Sequence, residues 1–172
     1  MTIHDLTHKG VIPAASYAII KEHSIEKEYL GKIDDHQKNQ KVVLFDLASL
    51  TKLVVSTRIL QMMESNQLGL NDSIQKHLPE FKIEEISIRD CLTHHSGLSS
   101  SPSGRYSMTK EDMIDSLMRG DDFTPEKYES MEYSCSNFVV LGLLIEALDQ
   151  CTLQESFDQH IFKISGMKNT TY

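Results

Sequence analysis

Four serines in this 172-residue chain are followed three positions later by a lysine: Ser24/Lys27, Ser49/Lys52, Ser73/Lys76 and Ser107/Lys110. On a helix three residues advance about 300°, so a hydroxyl and an amine at that spacing share a face about one turn apart. A serine hydroxyl alone is a weak nucleophile. A lysine that burial has partly desolvated gives up its proton more readily and can then take the hydroxyl proton. A serine at a helix N-terminus also has free backbone N–H groups and the positive dipole end to hold a developing oxyanion.

Context separates the four pairs. Ser24 falls in a polar turn, Ser73 starts a short polar helix, and Ser107 precedes a helix cap. Only Ser49 follows an extended apolar segment, residues 41–45, and opens a long apolar helix whose burial would desolvate Lys52. Serine is also a favoured N-cap, so spacing and context leave two readings of Ser49 open: a nucleophile and a plain cap.

The elements that must position these residues follow from periodicity and punctuation. Residues 14–21 and 25–30 read as two strands joined by the polar turn around Glu22-His23-Ser24, a hairpin. Residues 41–45 form a short third extended segment. From Ser49, the apolar residues Leu50, Leu53, Val54, Ile59, Leu60, Met62 and Met63 keep helical spacing to about Asn66, and Gly69 breaks the pattern. Asn71-Asp72-Ser73 caps a short helix that Pro79 stops. Residues 87–93 read as helical, 99–104 as a Ser, Pro and Gly loop, and Thr109-Lys110-Glu111-Asp112 as a capping box before a helix over 113–119. After a loop over 120–132, residues 138–148 form a strongly apolar helix, and Thr152 to Glu155 cap another that runs to about Ile164. Strands first and helices after read as an α+β fold. No composition shift marks an internal boundary, so the expectation is one domain, with strands in 1–48 and helices in 49–172.

Composition narrows the function. A net charge of −8 disfavours a nucleic-acid partner, which calls for clustered Lys and Arg. No segment approaches the roughly 20 apolar residues of a membrane span. The start, Met1-Thr2-Ile3-His4-Asp5, lacks the basic end and apolar run of a signal peptide, which points to a cytoplasmic chain or to an export signal outside this sequence. Three cysteines, Cys91, Cys135 and Cys151, with no C-x-x-C pair, argue against structural zinc and for reduced, mostly buried thiols. His94 and His95 are adjacent and lack the i, i+4 spacing of a helical zinc pair, so no metal or other cofactor is expected. The eight methionines read as core filler.

Phe45-Asp46-Leu47-Ala48-Ser49-Leu50-Thr51-Lys52 resembles the nucleophile motif of the serine β-lactamase and penicillin-binding protein superfamily. Its class C-like branch, with class C β-lactamases, D-alanyl-D-alanine carboxypeptidases and related esterases, is the most similar. Other segments agree in order. Gly10-Val11-Ile12-Pro13-Ala14-Ala15 resembles that branch's approach to its first strand. Leu70-Asn71-Asp72-Ser73-Ile74 and Leu78-Pro79-Glu80-Phe81 resemble the segment after its nucleophile helix. Ile88-Arg89-Asp90-Cys91-Leu92-Thr93-His94-His95-Ser96-Gly97-Leu98 resembles its Leu-Leu-Thr-His-Thr-Ser-Gly-Leu stretch. Gly142 and Gly166-Met167-Lys168-Asn169-Thr170 are similar to its later helix and Leu-Gly-Met segments.

The resemblance implies a β-lactamase/transpeptidase-like fold and a role for each matching residue. Ser49 becomes the acylated nucleophile, with its backbone N–H as one donor of the oxyanion hole, and Lys52 its proton partner. Tyr133, in Tyr133-Ser134-Cys135, matches the tyrosine of the family's Tyr-x-Asn motif, a phenolate or proton relay between Ser49 and the leaving group. The structural alternative is a buried tyrosine capping the helix at Phe138. His94 matches a structural position, a helix-end histidine favoured by the dipole.

Two features depart from the pattern. Cys135 stands where the motif has Asn or Asp, and a thiol is a weak hydrogen-bond partner for a substrate carbonyl. Asn137, two residues on, is a candidate substitute; Cys135 itself as nucleophile lacks a positioned histidine. The family's third motif, a Lys/His-Thr/Ser-Gly strand carrying the second oxyanion-hole donor, has no counterpart in these residues, and loss of one such donor costs about 10²–10³ in rate. The expectation is therefore a partial domain with the C-terminal sheet half missing and a sheet edge able to self-associate. Function is expected to be that of a serine hydrolase forming an acyl-enzyme on Ser49 with an amide, β-lactam or ester substrate, peptide or small molecule. The alternative is a non-catalytic fragment or binding module that needs a C-terminal segment or partner to complete the site.

Overall fold

A computed structural model describes residues 1–31, 44–100 and 107–171. The chain divides into two compact units, Met1–Leu44 and Phe45–Tyr172.

The first unit opens with helix α1 (Ile3–His8), which the sequence reading did not anticipate. One and a half turns give too little periodicity to read, although its capping box, Thr2 with Asp5, was visible in principle. The expected hairpin follows. Strand β1 (Ala14–Lys21) pairs antiparallel with β2 (Ser24–Gly31), in unbroken register from Ala14 opposite Gly31 to Lys21 opposite Ser24. Glu22 and His23 alone close the turn. Most side chains of both strands are exposed, and Ala15 is buried. Of the third extended segment, residues 41–43 lie outside the described residues, and 44–47 carry no regular structure.

The second unit is helical. A 3₁₀ turn, Ala48–Leu50, runs into α2 (Thr51–Glu64). Ser73 caps α3 (Ile74–His77), and a Ser87/Asp90 capping box starts α4 (Ile88–Thr93). The Thr109/Asp112 box starts α5 (Lys110–Arg119) directly, a turn earlier than the apolar pattern suggested. Helix α6 (Cys135–Asp149) also begins a turn early, because polar Ser136 and Asn137 hide its first turn in the sequence. The Thr152/Glu155 box opens α7 (Leu153–Phe157), which continues as a π-helical turn, Asp158–Phe162. The loop expected over 99–104 falls largely outside the described residues.

Helix α6 is the hub of this unit and touches α2, α3, α4, α5 and α7. Its Val140, Leu141, Leu144 and Ile145 are fully buried with Ile59 and Met62 of α2, Ile74, Ile86, Ile88 and Phe157. Each such side chain contributes roughly 1.5–3 kcal/mol by leaving water. A charged clamp joins three helices at the far end of α6. Arg58 of α2 donates through Nε and an Nη to the two oxygens of Asp149, at 2.9 and 2.5 Å, and Ser156 of α7 donates to Asp149 Oδ2 at 2.6 Å. Both ionic side chains are nearly inaccessible.

The thiols depart from expectation: Cys91 is buried, but Cys135 is exposed and Cys151 half-buried. Among the described residues, no single helix is long and apolar enough to cross a membrane.

Candidate active site

Ser49 sits on a strained turn. Asp46 Oδ1 accepts the Ala48 N–H at 2.8 Å, and Ala48 itself adopts a left-handed conformation, φ +43°. For a residue with a Cβ that conformation costs about 1–2 kcal/mol, and strain of this kind is held in place where it aims a functional group. The turn delivers Ser49 into the first turn of the helical run, where leading N–H groups lack intrahelical partners. Lys52 follows one turn later on the same face. Asp46 and Ala48 went unremarked in the sequence reading; an Asp two residues before a tight turn was the available signal.

Tyr133 arrives from the loop ahead of α6. The residues flanking it are fixed to the end of α4: Glu132 N–H donates to the His94 carbonyl at 2.8 Å, and Ser134 N–H donates to His94 Nδ1 at 3.1 Å. Its hydroxyl lies 2.9 Å from Ser49 Oγ. At 49% exposure this is not the buried helix-capping tyrosine of the structural alternative. Lys52 Nζ completes the group, donating to Ser49 Oγ at 3.4 Å and Cys135 Sγ at 3.6 Å and lying 5.1 Å from the centre of the Tyr133 ring. Ser49, Lys52, Tyr133 and Cys135 therefore meet at one point.

The charges at that point differ from the sequence expectation. Burial does oppose the charge on Lys52, but its hydrogen bond to Tyr133 and the neighbouring Cys135 outweigh burial, and its pKa is raised. The lysine is thus held as an ammonium rather than freed of its proton. The Lys52 hydrogen bond, and then that from Ser49, lower the Tyr133 pKa. The two shifts together favour charge on the amine and ionisation of the phenol.

Asn137 is elsewhere. It is fully buried, Oδ1 accepts the Ser96 hydroxyl, and Nδ2 lies 3.2 Å from His94 Nδ1. Its amide faces the junction of α4 and α6, because Asn137, the third residue of α6, points inward to Ser96 and His94. His94 also differs from the dipole-favoured cation expected. Burial, then the nearby Lys52 charge, lower its pKa, and its Nδ1 acts as an acceptor.

The other Ser-x-x-Lys pairs form no such site. Ser24 and Lys27 lie on β2, where residues three apart point to opposite faces. Ser73 caps α3 while Lys76 donates to Asp72 at 2.8 Å. Beside Lys52 and Cys135 opens a cavity of about 280 Å³, with Val55, Ile114, Phe138, Val139 and Leu143 in its walls. Among the described residues no three His, Cys, Asp or Glu side chains gather to hold a metal.

Fold and site together place the chain among the serine β-lactamases and penicillin-binding proteins. The family model Beta-lactamase matches residues 2–172, and the chain belongs to that family. It is 31% identical to Protein flp of Staphylococcus aureus (strain MW2) over 98% of this chain and 36% of that protein. Two solved structures share its fold. D-amino acid amidase from Ochrobactrum anthropi SV3 superposes with a TM-score of 0.79 at 22% identity, over 98% of this chain and 49% of that one. A class C β-lactamase from Rhodobacter sphaeroides superposes with a TM-score of 0.77 at 18% identity, over 94% and 47%. The chain thus spans about half the length of these structures and about a third of the curated relative.

Proposed function

We propose that this chain carries the nucleophilic half of a serine hydrolase site and forms an acyl-enzyme on Ser49. The observation that carries the reading is the contact of 2.9 Å between Ser49 Oγ and Tyr133 OH, with the Lys52 ammonium beside both. Tyr133, as phenolate, takes the Ser49 proton while Oγ bonds to the carbonyl carbon of an amide, β-lactam or ester. The carbonyl oxygen becomes an oxyanion facing the Ser49 backbone N–H and the positive end of the helix. The tetrahedral centre collapses as the leaving nitrogen or oxygen takes the proton back from Tyr133, leaving Ser49 acylated. Water, deprotonated by Tyr133 in turn, then attacks the acyl carbon and releases the acid. The ammonium of Lys52 stabilises the phenolate throughout. The cavity beside Cys135, walled by apolar side chains together with Lys110 and Glu146, gives room for a non-reacting part of the substrate.

A second reading has its own support. Cys135 offers a thiol where an amide would orient a substrate, and this favours a binding module over an enzyme.

Intact mass decides between them. The folded chain is incubated with a penicillin and, separately, with a fluorophosphonate probe, with Ser49→Ala as control. A stoichiometric adduct absent from the variant is the expected result. No adduct from either reagent overturns the enzymatic reading for this chain.

A further inference from the structure

His94 touches the Tyr133 ring and holds the residues on either side of it without entering the chemistry above. It caps the C-terminus of α4 in the left-handed region, φ +61°. Its carbonyl holds Glu132 N–H and its Nδ1 holds Ser134 N–H, so the residues on both sides of Tyr133 are tied to it. Its ring also packs on the Tyr133 ring, centroid to centroid 4.6 Å at a tilt of 35°, and on Phe138 at 5.4 Å.

The tautomer is set by its surroundings. Ser134 N–H donates to Nδ1, and Asn137 Nδ2 lies 3.2 Å from the same atom. Two donors converging on one nitrogen require it to be the unprotonated acceptor, which leaves the ring proton on Nε2. Asn137 is oriented in turn, because its Oδ1 accepts the hydroxyl of buried Ser96 and its Nδ2 must therefore face His94. A proton on Nδ1 would oppose two donors, and an imidazolium, protonated on both nitrogens, would also bring a second positive charge toward Lys52.

We propose that His94 is a positioning residue for Tyr133: its carbonyl, Nδ1 and ring face fix the phenol over Ser49, and its neutral ring leaves that phenol paired with the Lys52 ammonium. The role rests on Tyr133 as the base of the proposed function. It needs the left-handed backbone, the acceptor nitrogen and the flat ring together, a combination that histidine supplies and that Asn or Phe each supply only in part.

The test follows the Tyr133 phenol directly. Tyrosine labelled with ¹³C at Cζ is titrated by NMR, the Tyr133 resonance being assigned with Tyr133→Phe. Wild type is compared with His94→Asn, which keeps the left-handed turn and an acceptor but loses the ring, and with His94→Phe, which keeps a ring but loses the acceptor. The rate of Ser49 labelling by a fluorophosphonate is measured alongside. A phenol released from its place loses the Lys52 contact, so the Tyr133 titration moves up in both variants, and labelling slows by on the order of 10²-fold, as misplacement of a catalytic group does. A folded variant of either kind whose Tyr133 titrates as in wild type overturns the proposal; a melting curve identifies the folded ones. A wild-type chain that is not labelled at all counts against the proposed function alone, because the titration reads the hold of His94 on Tyr133 without turnover.

Discussion

Ser49 Oγ and Tyr133 OH lie 2.9 Å apart although 84 positions separate them in sequence. A strained turn aims the first, and the end of α4 anchors the second. Lys52, on the same helical face as Ser49, joins the two and lowers the phenol's pKa while its own is raised. In the proposed function the amine is the electrostatic partner and the phenol the base.

A pH dependence follows. The reactive form has Tyr133 ionised and Lys52 protonated. Labelling of Ser49 therefore rises with pH as the phenol ionises, with a midpoint below the ordinary tyrosine pKa of about 10. It falls again as pH passes the raised pKa of Lys52. Removing the cation disfavours the phenolate, so Lys52→Met moves the rising limb to higher pH. Labelling rates across a pH series, for wild type and Lys52→Met, check both directions.

The turn before the nucleophile gives a second prediction. A β-branched side chain is a poor occupant of the left-handed conformation that Ala48 adopts. Ala48→Val shifts Ser49 from its place and slows labelling by on the order of 10²-fold. Ala48→Gly, which reaches the same conformation without steric cost, retains labelling. Equal rates in the two variants would show that the turn has no part in aiming Ser49.

Cys135 lies 3.6 Å from Lys52 Nζ at the mouth of the cavity. Cys135→Asn replaces a weak thiol donor with an amide that can donate to a substrate carbonyl. Acylation by a penicillin is expected to quicken by about tenfold, the worth of one added hydrogen bond of about 1.4 kcal/mol. Stopped-flow acylation of the two proteins measures it; an unchanged or slower rate means that the thiol position does not face the substrate.

The clamp at the far end of α6 is structural. Burial raises the Asp149 pKa, but the Arg58 and Ser156 hydrogen bonds outweigh it and hold the carboxyl below its usual value. A depressed carboxylate contributes stability that is present above its unfolded pKa of about 3.9 and lost as pH falls through the folded value. Arg58→Met leaves Asp149 charged and unpaired, with an expected loss of about 3–5 kcal/mol. Arg58→Met with Asp149→Leu recovers most of it and flattens the acid limb. Urea unfolding at pH 7 and at a series of pH values below about 3.9 tests the pair, and equal losses in the single and double variants would contradict it.

Much of this was legible in the residues. The hairpin showed as two strand-like runs joined by a polar turn, read one residue longer than it is, and two helix starts showed through the capping residues at Thr109 and Thr152. Local sequence carries such signals because both partners lie within a turn of each other. Ser49, Lys52 and Tyr133 were visible as motifs, and the structure brings them together. What was not legible depends on distant partners. Lys52 is balanced between burial and a phenol from the distant loop ahead of α6, so its charge is undecided by its own neighbourhood. Asn137 looks available beside Cys135 in sequence, yet Ser96 and His94, about 40 positions away, claim its amide.

The central claim is that Tyr133 is the base acting on Ser49. Its most direct test is the pseudo-first-order rate at which a fluorophosphonate labels Ser49 at pH 7.5 in wild type and in Tyr133→Phe, with melting curves to show that both are folded. Loss of a positioned general base lowers the rate by about 10²–10⁴, and that fall is the predicted result. An undiminished rate in folded Tyr133→Phe would contradict the account and return the proton to Lys52.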